Sequence, residues 1–240
     1  MLNQFSRTEL LYGKEAIEHL KECRVAVFGI GGVGGYVVEA LARTGVGKFD
    51  LIDNDIVSLT NLNRQIIATL DTVGKYKVDV MKDRILSINK DAKVNTHTCF
   101  FLPENESEFD FSKYDYVVDA VDTVAAKIEL ALKAQRENTP IISSMGAGNK
   151  LNPQGFKVVD IYETKYDPLA RVLRNELKKR NVKKLKVVYS EEIPMKVECA
   201  LDETSNKRTI PGSNAFVPAS LGLTIAAEVI NDLTKSYKNR

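Results

Sequence analysis

The stretch VAVFGIGGVGG, residues 25–35, joins an apolar run to a turn that is rich in glycine. This order predicts a buried strand, a tight turn and a helix whose first turn faces a phosphate. Gly29, Gly31 and Gly34 fit the pattern G-x-G-x-x-G. In this pattern the first glycine permits the turn, the second lets the backbone approach phosphate, and the third lets the helix pack on the strand. The phosphate belongs either to an intact dinucleotide such as NAD or to ATP that is cleaved.

Apolar runs and amphipathic segments alternate along the first 150 residues. Strands are predicted at 23–28, 48–53, 93–98, 115–120 and 140–144. Helices are predicted at 8–22, 33–44, 75–90 and 124–138. The alternation predicts an α/β fold with a doubly wound, mostly parallel sheet of the Rossmann type.

The rhythm changes after about residue 150. Further strands are expected at 155–164, 185–190 and 195–201, with a polar loop at 204–214 and a C-terminal helix at 215–230. A helix is expected from Asp167, which suits an N-cap, and Pro168, which suits a first turn. We expect one domain over 1–240 whose C-terminal part mixes strands and helices, with a basic, substrate-binding segment at about 150–215.

Composition and cysteine spacing exclude several classes of protein. The chain has 240 residues, 44% hydrophobic and 28% charged, with a net charge of +2. These values are ordinary for a globular protein. Three single cysteines without a C-x-x-C pair argue against a disulfide framework and a four-thiolate zinc site. The N-terminus lacks the pattern of a signal peptide, and no apolar run approaches the roughly 20 residues that span a bilayer. We therefore expect a cytoplasmic protein that does not associate with a membrane.

Polar side chains next to the glycine turn distinguish ATP from NAD. The segment DNDIVSLTNLNRQ, residues 53–65, begins at the end of the second predicted strand, and its first residue, Asp53, is placed to bind a ribose hydroxyl. An arginine among amides is suited to bind and polarise a triphosphate. Hydride transfer needs few cations near the phosphates, so this excess favours ATP. The polar residues concerned are Asp53, Asp55, Asn61, Arg64 and Gln65, with Lys77 near the start of the next helix.

Two carboxylates lie at the end of the fourth predicted strand. They are Asp119 and Asp122 in YDYVVDAVDT, residues 114–123. A carboxylate at the carboxyl edge of the sheet, beside a phosphate-binding turn, is well placed for Mg²⁺.

These motifs together resemble the E1-like adenylating superfamily, the ThiF/MoeB/HesA type, over roughly residues 5–165. The segments that carry the resemblance are GIGGVGG, DNDIVSLTNLNRQ, VGKYKVDV and DAVDTVAAK, in this order. The resemblance implies adenylation of a carboxylate by ATP and Mg²⁺. It implies that Asp53 binds the ribose, that Asp55 lies in the nucleotide site, and that Asp122 holds the metal. The phosphates would be held by Gly29, Gly31, Gly32, Gly34, Asn61, Arg64, Gln65 and Lys77.

The same resemblance implies a homodimer with shared active sites. Arg7 in FSRTELLYG, residues 5–13, would reach into the site of the neighbouring subunit. A further partner for sulfur transfer is left open.

Three segments are similar to tRNA threonylcarbamoyladenosine dehydratases in particular: ARTGVGKFDLID, TNLNRQI and YDPLARVLR. This similarity implies that ATP adenylates the carboxylate of t6A at tRNA position 37. The carbamoyl group of the modification then closes a ring, giving ct6A and AMP. No enzyme thiol is needed, because the nucleophile belongs to the same molecule. Residues 145–198 contain no cysteine, and Cys199 is expected to be a buried thiol in a strand.

Local charge agrees with a nucleic-acid partner. Lys165–Lys186 contains nine basic and two acidic residues, whereas the rest of the chain is mildly acidic. A basic lobe favours a phosphate backbone. Tyr162, Tyr166 and Tyr189 are candidates to stack on a base.

Three other functions fit the same residues. One is an adenylyltransferase that activates the C-terminal Gly-Gly carboxylate of a ubiquitin-like sulfur carrier. The second is an NAD-dependent oxidoreductase that uses the same glycine turn. The third is a regulatory module that holds a nucleotide without turnover.

Overall fold

The computed structural model describes residues 2–197 and 211–237, which form an α/β fold around one seven-stranded sheet. The strand order is β3-β2-β1-β4-β5-β7-β6, and each neighbouring pair is parallel except β6 with β7. The doubly wound fold class is therefore confirmed. The strands are β1 (Arg24–Phe28), β2 (Lys48–Ile52), β3 (Lys93–His97), β4 (Tyr116–Asp119), β5 (Ile141–Ser144), β6 (Phe156–Asp160) and β7 (Lys186–Ser190).

The seven α-helices of the described residues cover both faces of the sheet. They are α1 (Ser6–Tyr12), α2 (Lys14–Glu22), α3 (Gly34–Thr44), α4 (Lys77–Ile88), α5 (Val124–Glu137), α6 (Pro168–Lys179) and α7 (Val217–Leu233). Successive side chains of a strand point to opposite faces. Val25 and Val27 accordingly join the core with α3, α4 and α7, whereas Ala26 and Phe28 join the core with α5.

Three sequence predictions were wrong in detail. The single helix at 8–22 is two helices, because Gly13 has φ 87° and so interrupts the helical backbone. The strand within 155–164 ends at Asp160, whose carboxylate accepts a hydrogen bond from the Tyr162 N–H and starts a short 3₁₀ turn. Residues 195–197 are not in a strand, and the rest of the strand predicted at 195–201 lies outside the described residues.

Two features of the C-terminal half define the start of α6 and the position of α7. Asp167 caps α6 by accepting a hydrogen bond from the Ala170 N–H at 2.9 Å, and Pro168 opens the helix, as the sequence predicted. Helix α7 packs so closely on the start of α3 that a Cβ on Gly222 would lie 2.4 Å from the Val33 carbonyl oxygen. In the described ranges, no helix is long and apolar enough to span a bilayer.

Candidate active site

The glycine turn lies between the end of β1 and the start of α3, beside the end of β4. Gly29 has φ 89°, and a Cβ there would lie 2.6 Å from the Ala120 carbonyl oxygen. A Cβ on Gly34 would lie 1.8 Å from the Gly29 carbonyl oxygen. Gly31 has no atom nearer to its Cβ position than the Gln65 Nε2 at 3.9 Å. The first and third glycines therefore allow close packing, and the second leaves space for a ligand at the N-terminus of α3.

Asp53, directly after β2, is bonded to the glycine turn. Its Oδ2 accepts the Ile30 N–H at 2.6 Å, and its Oδ1 accepts the Asp55 N–H at 2.8 Å. Burial raises the pKa of this carboxyl above its ordinary value. Each carboxylate oxygen retains a further lone pair, so Asp53 can still accept a hydroxyl group.

Asp55 and Lys77 form an ion pair beside Asp53. The Lys77 Nζ lies 2.6 Å from the Asp55 Oδ2, and the lysine is buried whereas the aspartate is exposed. Lys77 is the first residue of α4, so its position depends on the helix start. The pair places a cation close enough to Asp53 to offset in part the rise that burial causes in the pKa of that carboxyl, and Asp53 is itself bonded to the glycine turn.

Two side chains of the TNLNRQ segment, residues 60–65, lie beside the glycine turn: those of Arg64 and Gln65. The Arg64 Cγ lies 3.4 Å from the Cβ position of Gly32, and its Nη1 donates to the Thr60 carbonyl at 3.0 Å. Asn61 stabilises the local backbone, since its Oδ1 accepts the Ser58 N–H at 3.1 Å.

Gln65 is buried, and its Oε1 has no hydrogen-bond partner among the described residues. A buried polar atom without a partner is costly and rare, and it indicates a missing ligand or water.

Asp119 ends β4 and Asp122 follows it, and of these two carboxylates only Asp122 is available to a ligand. Asp122 is exposed. Asp119 is buried, and its two oxygens lie 3.1 Å from the Lys127 Nζ. The sequence did not single out Lys127, because nothing in its local pattern distinguishes a lysine that points inward from one on a solvated helix face.

Arg7 is not brought to the other site residues of its own chain. It is exposed on α1, and the neighbouring Phe5 packs against Gly45, at the far end of α3 from the glycine turn. Eleven helical residues separate these two ends by about 16 Å.

The loop after β5 carries a second buried ion pair that the sequence reading missed. The Lys150 Nζ lies 2.9 Å from the Asp167 Oδ2 and 3.2 Å from the Ser190 carbonyl oxygen, and the side chains of both charged residues are 0% exposed. The pair joins the loop to the start of α6.

The predicted basic segment is less basic in the structure than in the sequence. Lys186 pairs with Glu228 and Asp232 of α7. Lys179 and Arg180 pair with Glu176. Arg174 donates to Thr164. Five cations are exposed and make no ion pair within the described part of the chain: Lys165, Arg171, Lys178, Lys183 and Lys184.

The three tyrosines predicted to stack on a base differ in exposure. Tyr189 is buried, and the Tyr162 hydroxyl donates to the Val182 carbonyl. Tyr166 is 71% exposed and precedes the cap of α6, so its ring remains free to stack.

The described cysteines are poor nucleophiles. Burial raises the pKa of Cys23 to about 12, and burial also raises the pKa of Cys99. A thiol with a raised pKa forms little thiolate at neutral pH. Cys199 lies outside the described residues.

Comparison with known proteins gives consistent matches. The ThiF family matches residues 5–239. A Bacillus subtilis protein named tRNA threonylcarbamoyladenosine dehydratase is 45% identical over 247 residues, covering 99% of this chain and 97% of the relative. A Haemophilus influenzae protein of the same name is 36% identical over 237 residues, covering 94% and 91%.

Solved structures match over nearly the whole chain. The crystal structure of Escherichia coli tRNA N6-threonylcarbamoyladenosine dehydratase with AMP superposes with a TM-score of 0.88 at 33% identity, covering 99% of this chain and 96% of that one. The structure of the same E. coli protein with ATP gives a TM-score of 0.87 at the same identity and coverage.

Proposed function

Because the chain belongs to the ThiF family, as its motifs predicted, we propose that it is an ATP-dependent tRNA threonylcarbamoyladenosine dehydratase. The observation that carries this proposal is the match, over nearly the whole chain, to proteins with this name. The alignment of this fold with a relative solved with ATP and with AMP supports an adenylating mechanism.

The residues around the glycine turn are arranged to hold a triphosphate for cleavage. The free backbone at Gly31 and the N-terminus of α3 would face the phosphates, and the Gln65 Nε2, which lies 3.9 Å from the Cβ position of Gly31, would donate to them. Arg64 and Lys77 would offset the charge that develops on the leaving pyrophosphate. Asp53 would hold the ribose.

Mg²⁺ fits the residues that are present. Over residues 2–197 and 211–237, no cluster of three histidine, cysteine or acidic side chains could hold a metal. Mg²⁺ commonly binds through one or two carboxylates plus substrate phosphates, and Asp122 is an exposed carboxylate at the right edge. Bound by Asp122 and the triphosphate, Mg²⁺ would neutralise charge on the departing pyrophosphate.

The chemistry proceeds in two steps. A carboxylate oxygen of t6A attacks the α-phosphorus of ATP, forming an acyl adenylate and releasing pyrophosphate. The carbamoyl group of the same nucleoside then attacks the acyl carbon and loses one N–H proton to solvent, and AMP leaves with the original carboxylate oxygen. The high effective concentration of an intramolecular nucleophile explains why the low reactivity of Cys23 and Cys99 does not prevent the reaction.

The function is tested by the products released from ATP. With tRNA that carries t6A, we expect AMP and pyrophosphate in equal amounts, together with conversion of t6A to its dehydrated form by nucleoside mass spectrometry. Equal release with tRNA that lacks t6A would contradict the substrate. Release that depends instead on a carrier protein ending in Gly-Gly would assign the sulfur-carrier function, and NAD binding without ATP binding would assign an oxidoreductase.

Two variants test the site. Arg64→Ala and Asp122→Ala should lose adenylation while keeping the circular dichroism spectrum and melting behaviour of the wild type. Full activity in either variant would contradict the role given to that residue.

We also propose a homodimer in which Arg7 completes the site of its partner, which agrees with its distance from the site in its own chain. Arg7→Ala and Arg64→Ala should each be inactive. Re-equilibrated together in equal amounts, they should recover about a quarter of wild-type activity, since half of the dimers then contain one intact site. No recovery would contradict an arginine donated between subunits.

The exposed cations of α6 are proposed to bind the tRNA backbone. Arg171 and Lys178 lie seven residues apart, on one helix face. Their double alanine variant should lower the slope of log KM for tRNA against log salt by about 1.4–1.8, with the KM for ATP unchanged. Lys90→Ala, at an exposed lysine in the turn that follows α4, is the matched control. An unchanged slope would contradict this docking face.

A further inference from the structure

A buried ionic cluster lies beneath the carboxyl edge where β4 and β5 end. Lys127, in the first turns of α5, is 1% exposed. Its Nζ donates to both oxygens of Asp119 at 3.1 Å and to the Ser144 carbonyl at 2.7 Å. The Ser143 hydroxyl donates to the same carboxylate. One ammonium group therefore joins a helix to the ends of two strands.

A gain in folding stability does not by itself explain why these charged groups are buried. Replacing a buried ion pair with well-packed apolar residues is often neutral or stabilising, since both charges must leave water. The neighbouring inward positions of α5 are Ala126, Leu130 and Ala134, which pack in the ordinary way. The cluster supplies directed hydrogen bonds that an apolar side chain does not supply.

Those bonds hold the turn that carries Asp122. Asp119 also accepts the Val121 N–H at 3.2 Å, which fixes the start of the turn. Helix α5 starts at Val124, so Lys127, in its first turn, fixes the end of the same turn. The turn in between lies against the glycine turn, because a Cβ on Gly29 would lie 2.6 Å from the Ala120 carbonyl oxygen. The distance between Asp122 and the phosphate-binding backbone therefore depends on the bonds that Asp119 and Lys127 make.

We infer that Lys127 is a positioning residue, whose ammonium group holds the Asp119–Val124 turn so that the Asp122 carboxylate and the glycine turn bind Mg²⁺ and triphosphate together. The inference rests on the proposed function, in which Asp122 holds Mg²⁺. Lys127 itself does not face the ligand.

The test measures ATP binding by calorimetry with Mg²⁺ and with EDTA, in the absence of tRNA. Wild type should bind ATP more tightly with Mg²⁺. We call the ratio of ATP affinity with Mg²⁺ to ATP affinity in EDTA the Mg²⁺ gain. Lys127→Met should reduce this gain at least about fivefold, whereas the ATP affinity in EDTA should change no more than about twofold. Lys127→Arg, which keeps the charge, should recover part of the gain.

A second variant separates positioning from stability. Lys127→Met leaves the Asp119 charge buried without a partner, which lowers stability. The double variant Lys127→Met/Asp119→Asn removes that charge and should regain melting temperature without regaining the Mg²⁺-dependent affinity. Lys133→Met is the matched control. Lys133 is a buried lysine of the same helix that pairs with Glu106 and Glu137, and its loss should leave the gain intact.

The outcomes distinguish this inference from the function on which it rests. A wild-type gain that survives in Lys127→Met, or that falls equally in Lys133→Met, would overturn the positioning role and leave the proposed function standing. A wild type that shows no gain from Mg²⁺ would overturn the metal role of Asp122 and the inference with it.

Discussion

Replacing Lys150 by methionine should destabilise the protein strongly. Lys150 and Asp167 are completely buried, and their side chains lie 2.9 Å apart. Methionine keeps most of the volume of the lysine stem but leaves the Asp167 carboxylate without its cation. Removing one partner of a buried pair costs about 3–5 kcal/mol. For a chain of this length, such a loss lowers the melting temperature by about 6–20 °C.

The double variant Lys150→Met/Asp167→Asn shows whether the loss comes from the unpaired charge. Asparagine can still cap α6, because its side-chain oxygen can accept the Ala170 N–H. The double variant should therefore be more stable than Lys150→Met alone, as measured by thermal and urea unfolding. A loss under about 1 kcal/mol for Lys150→Met, or a double variant less stable than the single one, would refute this reasoning.

Two further predictions concern the nucleotide site. Gly34→Ala should abolish ATP binding, because the new Cβ would lie 1.8 Å from the Gly29 carbonyl oxygen and the turn must open. Gly13→Ala is the control: its Cβ would have no atom within 4 Å, so the change should cost about 1–3 kcal/mol of stability but leave ATP affinity unchanged. Equal effects of both changes on calorimetric ATP affinity would count against the close packing. ATP affinity should also fall on acidification as Asp53 is protonated, at a higher pH than an ordinary aspartate because burial raises its pKa; a pH profile unchanged in Asp53→Asn would show that this carboxylate does not bind the ribose.

Local patterns predicted the parts of the molecule that depend on local physics. The strand–glycine–helix order, the alternation of strands and helices, and the cap formed by Asp167 and Pro168 depend on residues a few positions apart. Gly34 is a clear case, since its contact with the Gly29 carbonyl is encoded within six residues. The break at Gly13 was missed because the periodicity of its flanks is helical on both sides.

Long-range partners could not be predicted in the same way. Lys186 counted as part of a basic lobe, yet Glu228 and Asp232 neutralise it from a helix more than 40 residues later. The sequence analysis assigned no role to Lys127 or Lys150, and only the packed fold shows that each is buried against a carboxylate. The sequence therefore indicates the type of site more reliably than the set of charges that remains available to a substrate.

The central claim is that the cations and amides around the glycine turn hold the tail of ATP for the departure of pyrophosphate. A crystal structure of this chain with ATP tests it most directly. We predict the triphosphate between the backbone at Gly31 and the side chains of Arg64, Gln65 and Lys77, with the ribose on Asp53. A triphosphate bound elsewhere, with these side chains turned away from it, would contradict the claim.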